Sequence, residues 1–490
     1  MYRRVITVFL CSAAAAAVMT APAAADPLLE WQPCPSQAQP TKQCAWLTVP
    51  RDYERPAAGT LQVAVSRIPA TGPRRDRIGS LVWDAGGPGG PSTASIDGMV
   101  TRLSPQVRQR FDFVAVDPRG IGASRPALEE CTMPWPVLPA LDPLPSWRRA
   151  QQKSAAVLAQ SNRRCLQQNR RIASALGTAN VVEDVERLRA ALGDRALTFW
   201  GTSYGTRIGY VYALKYPQRV RAMVMDGNID PTTGYRGLAR IGGLSQDSAL
   251  RFIKSHDRPV YRTVIRTTAS LTAEPIRLAD GSRFTRWDWL NIVGDLVAFQ
   301  DAWAQLPVLA TLVSQGRSAG PEGDQARATL LRAKGRPNSN EGGAFSVVNC
   351  LDYSQRLTAE DQADLAAANA RRAPITGGSL TLMYAMGCEG LDGLRPDPVP
   401  LVTTARQRAS LAPVPVLLAN ATHDGSTPMV WAKRMQQVFD RPMIRYRSSQ
   451  HVIWGATTSR CVNRPIDRFV LEVRLPKRSR TCDFVPSPGD

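Results

Sequence analysis

The sequence predicts an α/β fold: a mostly parallel sheet with helices on both faces and an inserted helical cap. Three observations predict it. Short apolar runs alternate with helical patterns through the first half of the 490 residues. One such run, Ala196-Leu197-Thr198-Phe199-Trp200, opens directly into Gly201-Thr202-Ser203-Tyr204-Gly205 and a helical pattern over 208–216. Strand-like runs stop near Thr232 and return only at Val414. Alternation of β and α patterns argues for parallel strands covered by helices.

The elements follow in order. Residues 1–25 read as a secretory signal, with Arg3 and Arg4 before an alanine-rich apolar body and Ala23-Ala24-Ala25 as the cleavage site. Cys11 raises the question of a lipid anchor, but the bulky Phe9 and Leu10 before it argue against one. Residues 34–53 and 61–69 read as opening antiparallel strands. The run Ser80-Leu81-Val82-Trp83-Asp84-Ala85 leads into the loop Gly86-Gly87-Pro88-Gly89-Gly90-Pro91. A further strand, Phe113-Val114-Ala115-Val116, ends in Asp117-Pro118-Arg119-Gly120. Over 179–192, Val182, Val185, Leu188 and Leu192 share one helical face. The core so defined covers 26–231 and 401–490, and residues 232–400 form the mainly helical cap between its sixth and seventh strands.

A serine between two glycines on a strand-to-helix turn is a nucleophile elbow, which holds a hydroxyl above the sheet edge. That hydroxyl needs a base, and the chain has only three histidines: His256, His423 and His451. Where this elbow is used the order is serine, acid, histidine. Asp424 follows the strand-like Val414-Pro415-Val416-Leu417-Leu418-Ala419, and His451 follows Met443-Ile444-Arg445-Tyr446. Ser203, Asp424 and His451 therefore make a consistent triad. His423, adjacent to the acid, is expected to point elsewhere. Asp226 and Asp230, after an earlier strand, are rival acids. Gly87 and the residue after the nucleophile, Tyr204, are the expected backbone donors to an oxyanion.

Composition narrows the class. The formal charge is +20, and losing Arg3 and Arg4 with the signal leaves +18. The basic residues are scattered and form no nucleic-acid motif, so no nucleic-acid partner is expected; weak affinity for anionic envelope surfaces stays open. No transmembrane segment is expected after the signal. Of nine cysteines, eight remain after Cys11, and an even number in an exported chain points to disulfides. Pairing neighbours gives Cys34–Cys44, Cys131–Cys165, Cys350–Cys388 and Cys461–Cys482, one of many connectivities. No CxxC or histidine cluster suggests a metal, and none is expected. No organic cofactor is expected either.

The chain resembles the tripeptidyl aminopeptidase branch of the proline iminopeptidase-like serine exopeptidases. The resemblance is carried by Cys44-Ala45-Trp46-Leu47-Thr48-Val49-Pro50-Arg51-Asp52-Tyr53, the glycine loop, Asp117-Pro118-Arg119-Gly120-Ile121-Gly122, the elbow, Asn349-Cys350-Leu351-Asp352 and Asp424-Gly425-Ser426-Thr427-Pro428. It implies an α/β-hydrolase fold with a helical cap, an exported location, periplasmic or extracellular, and removal of short peptides from free N-termini. It also implies Ser203 as nucleophile, Asp424 as acid, His451 as base, and Gly87 and Tyr204 as oxyanion donors. Two departures stand out: Gln450 precedes the histidine where the family often has glycine, and Cys388 is followed by Glu389-Gly390-Leu391 rather than Trp-Pro. A substrate ammonium needs a carboxylate at fixed distance from the nucleophile, and Asp352, Glu341 and Glu389 are the candidates. The resulting expectation is an exported serine aminopeptidase releasing di- or tripeptides, its partners being peptides with a free N-terminus. An esterase or lipase using the same triad is the alternative, and a hydrolase fold retained only for binding is the non-enzyme rival.

Overall fold

The computed structural model describes residues 29–35, 41–131, 146–334 and 341–486. The expected signal segment, with Cys11, lies outside them. The strands are β1 (Gln32–Pro33), β2 (Gln43–Pro50), β3 (Thr60–Ile68), β4 (Gly79–Asp84), β5 (Phe111–Val116), β6 (Leu197–Thr202), β7 (Val220–Asp226), β8 (Ile276–Arg277), β9 (Arg283–Phe284), β10 (Val416–Ala421), β11 (Met443–Tyr446) and β12 (Arg480–Cys482). All but β8 and β9 join one sheet in the order β1-β2-β3-β5-β4-β6-β7-β10-β11-β12. Pairing is antiparallel from β1 to β5 and parallel from β5 to β12. The expected fold class is the one found.

Alternation along the buried strands splits the core into two layers. Val82, Phe199 and Met223 face the helices Thr178–Ala191 and Gly205–Lys215. Leu81, Trp83, Trp200 and Val224 face the helices Ser92–Arg102 and Arg460–Glu472 on the other side. With both faces covered, these strands read as continuous apolar runs rather than alternating ones.

Between β7 and β10 the chain is mainly helical, and its own apolar cluster includes Ile253, Val264, Trp289, Val293 and Leu306. Two features differ from expectation. The short antiparallel pair β8–β9 interrupts a segment read as strand-free. The sheet also gains β1 and β12 at its edges, where two or three residues are too few to display a period. The four cysteine pairs are those obtained by joining sequence neighbours. Cys34–Cys44 ties β1 to β2, and Cys461–Cys482 ties β12 to the helix Arg460–Glu472.

Candidate active site

Ser203 stands at the end of β6 with φ of 56°, in the left-handed region that side-chain-bearing residues rarely adopt. Hydrogen bonds hold it there. Its N–H donates to Asp226 O at 2.9 Å, and its carbonyl accepts from Thr206 N at 3.0 Å and Thr206 Oγ1 at 2.7 Å. The serine lines a cavity of about 200 Å³ shared with Gly87, His451 and Trp431 and roofed by Leu238, Phe345 and Tyr384 from the helical insertion.

The glycine loop lies against this elbow. A Cβ added at Gly86 would stand 2.9 Å from Ser203 Cβ and 3.0 Å from Tyr204 N, so only glycine permits the approach. Asp84 shapes the loop by accepting from Gly86 N at 2.9 Å, while Thr202 Oγ1 donates to the Asp84 carbonyl at 2.7 Å. Burial pushes the Asp84 carboxyl up to about 7, helped by nearby Asp117 and opposed by the Gly86 bond. Among the described residues, neither the Gly87 N–H nor the Tyr204 N–H is taken by another protein group.

His451 Nδ1 is 3.0 Å from both carboxylate oxygens of Asp424. That carboxylate also accepts from Ser426 N and Thr427 N at 2.8 Å and from Thr427 Oγ1 at 3.0 Å. With Nδ1 so engaged, Nε2 is the ring nitrogen left for chemistry in the cavity. Burial alone disfavours the imidazolium, but the charge and hydrogen bond of Asp424, with the charge of Asp226, outweigh it and raise the His451 pKa above the usual value.

The rival acids serve other ends. Asp226, fully buried and pushed by desolvation to about 6, accepts from Ile453 N and Trp454 N and so holds the turn after His451. Asp230 accepts from Thr232 N at 2.8 Å and Thr232 Oγ1 at 2.6 Å. His423 turns away: its Nδ1 meets Thr422 Oγ1 at 2.9 Å and its ring lies 5.2 Å from that of Phe252.

Two of the three acids read as ammonium ligands, Asp352 and Glu389, need correction. Asp352 is fully buried and already neutralised by Arg207, whose Nη1 lies 2.9 Å from Oδ2. It also accepts from Thr178 N at 2.9 Å and Thr178 Oγ1 at 2.6 Å, and Thr178 Oγ1 in turn meets the Tyr204 hydroxyl. A carboxylate with these partners has no free charge to offer a substrate. Glu389 accepts from Gln362 Nε2 at 2.7 Å and does not line the cavity. Glu341 opens the helix Glu341–Asp352, and its side chain lies outside the described residues.

Sequence reading missed the work of Gln450. Its Oε1 accepts from Gln300 N at 3.0 Å, and its Nε2 donates to His451 O at 2.8 Å. It thereby fastens the His451 loop to the insertion, where His451 N also donates to Ala298 O at 2.6 Å. The only signal was the departure from the family's glycine.

Residues 86–453 match the family model described as alpha/beta hydrolase fold. The serine protease Hip1 of Mycobacterium tuberculosis is 29% identical, over 93% of this chain and 91% of that protein. The tripeptidyl aminopeptidase of Streptomyces lividans is 27% identical, over 95% and 88%. Carboxylesterase B of Mycobacterium tuberculosis is 27% identical, over 90% and 86%. The resemblance read from the motifs thus extends along most of the chain.

Proposed function

The chain belongs to the α/β-hydrolase family, and from that premise we propose that it is an exported serine aminopeptidase releasing di- or tripeptides from free N-termini. One observation carries the reading: a left-handed Ser203 and an Asp424-held His451 line the same cavity. His451 Nε2 takes the Ser203 proton as Oγ attacks the scissile carbonyl, and the Asp424 carboxylate stabilises the imidazolium. The N–H groups of Gly87 and Tyr204 receive the developing oxyanion. The imidazolium then protonates the leaving amine as the C–N bond breaks, and water hydrolyses the acyl-enzyme with the same base. The relatives named serine protease and tripeptidyl aminopeptidase support peptides as substrates. Four disulfides and the signal-like start support export. Glu341 is the remaining candidate for the substrate ammonium.

One observation favours a second reading, a carboxylesterase. Among the described residues lining the cavity none is acidic, and one relative carries that name. Hydrolysis of a free-amine tripeptide anilide, its N-acetyl twin and a short-chain nitrophenyl ester separates the two. Cleavage of the free-amine anilide with loss on acetylation is the expected result. Ester turnover with neither anilide cleaved overturns the aminopeptidase reading in favour of the esterase.

A further inference from the structure

Phe299 is one of the few large apolar side chains left open to solvent, at 42% exposure. It is also one of the nearest aromatic neighbours of the proposed base: its ring centroid lies 6.3 Å from that of His451, edge-on at 68°. The ring is not among the residues lining the cavity that holds Ser203, although His451, which it meets edge-on, is. Its backbone is held firmly there. Ala298 O accepts from His451 N, Gln300 N donates to Gln450 Oε1, and Val297 O accepts from Ser449 Oγ at 3.1 Å. An exposed aromatic on mobile chain is an ordinary surface feature; one braced on both sides against a catalytic loop is a platform.

Reaction geometry says what sits on it. The roofed cavity is lined by Leu238, Phe345, Tyr384 and Trp431 beside Ser203, and on the serine-hydrolase reading it is the place for the acyl part of the substrate. With Nδ1 held by Asp424, Nε2 gives its proton to the departing group, which must therefore lie against His451 as the bond breaks. Resting on the serine-hydrolase reading above, we infer that Phe299 forms the leaving-group subsite and selects apolar leaving groups: in a peptide, a bulky side chain on the residue just after the cut. Apolar contact with a half-exposed ring removes water from both surfaces, and the gain appears in acylation alone because the leaving group is gone before deacylation.

The test uses two substrate pairs that share an acyl group. Peptides carry Phe or Gly as the leaving residue, and esters carry benzyl or methyl alcohol. The expected kcat/KM preference for the apolar member is on the order of 5–30-fold. Phe299→Ala should collapse that ratio to within about twofold of unity, and Phe299→Leu should restore part of it. The backbone bonds that hold His451 do not involve the ring, so the pH profile should keep its position. No preference, a preference that survives Phe299→Ala, or an equal loss on both members of a pair overturns the subsite while leaving the hydrolase standing. Turnover of neither pair overturns the hydrolase reading and the subsite with it.

Discussion

Gly227 lies against the imidazole of His451 so closely that a Cβ at 227 would stand 3.1 Å from Cε1 and 3.1 Å from Thr427 Oγ1. The residue follows β7 with φ of +74°, a conformation a side chain opposes on its own account. Gly227→Ala should therefore push the ring from its partner Asp424. The ring and Thr427 must then give by a few tenths of an ångström. That is less than the ~1 Å that costs on the order of 10²-fold, so kcat should fall by up to about 10-fold, and the strained backbone adds about 1–3 kcal/mol of destabilisation. Steady-state kinetics on any good substrate, with a thermal melt, checks this; an unchanged kcat would mean the ring has room to yield.

The pH profile is the second prediction. Two carboxylates raise the His451 pKa, and only the neutral imidazole acts as base. The acid limb of kcat/KM should therefore lie above the usual histidine value of about 6.5. Asp226→Asn removes one negative charge without touching the Asp424 bond. Less charge favours the imidazolium less, so the limb should move to lower pH, by less than about one unit. Asp424→Asn should instead lower kcat by about 10⁴-fold through loss of the working tautomer. A limb that stays fixed in Asp226→Asn would show that its charge is not felt at the ring.

How much of this site was legible depends on how local each signal is. The elbow was readable because Gly201, Ser203 and Gly205 follow an apolar strand within a few residues. That Asp424 and His451 could meet was readable because each sits just past a strand in the second part of the core, and the structure brings them into contact. Asp352 was noticed beside Cys350 but misread, since its meaning comes from Arg207, Thr178 and Tyr204, and Arg207 alone lies 145 residues away. A sequence shows that a carboxylate is present; only the fold shows that a guanidinium has already claimed it. Gln450 was hidden likewise, its partner Gln300 lying 150 residues distant. The edge strands β1 and β12 are too short for any periodicity to mark them.

That misreading yields a third prediction. The Arg207–Asp352 pair is buried, and Arg207 Nη1 and Nη2 also reach Asn349 Oδ1 at 3.0 Å and the Tyr353 hydroxyl at 2.9 Å. Asp352→Ala leaves a buried cation uncompensated and should cost about 3–5 kcal/mol in denaturant unfolding. Asp352→Asn, which keeps the shape, should preserve the discrimination between a free-amine peptide and its acetylated twin. If that discrimination vanished while the protein stayed folded, Asp352 would have to be returned to the substrate ammonium.

The last prediction concerns Asp84, whose buried carboxyl is pushed up to about 7 while the unfolded chain titrates near 3.8. Between those values the folded state binds a proton that the unfolded state has already released. The contribution of Asp84 to stability is therefore greatest below the lower value and falls as pH rises, with the loss complete just above pH 7 and reaching up to about 4 kcal/mol. Asparagine at 84 cannot ionise, yet its Oδ1 still accepts from Gly86 N and keeps the glycine loop in place. Asp84→Asn should thus melt higher than the parent at pH 8 and close to it at pH 4.5. Melting curves across that range decide it: parallel curves for the two proteins would mean that solvent or a neighbouring group neutralises Asp84 at every pH. A converging pair would locate the protonated carboxyl at the root of the loop that carries Gly87.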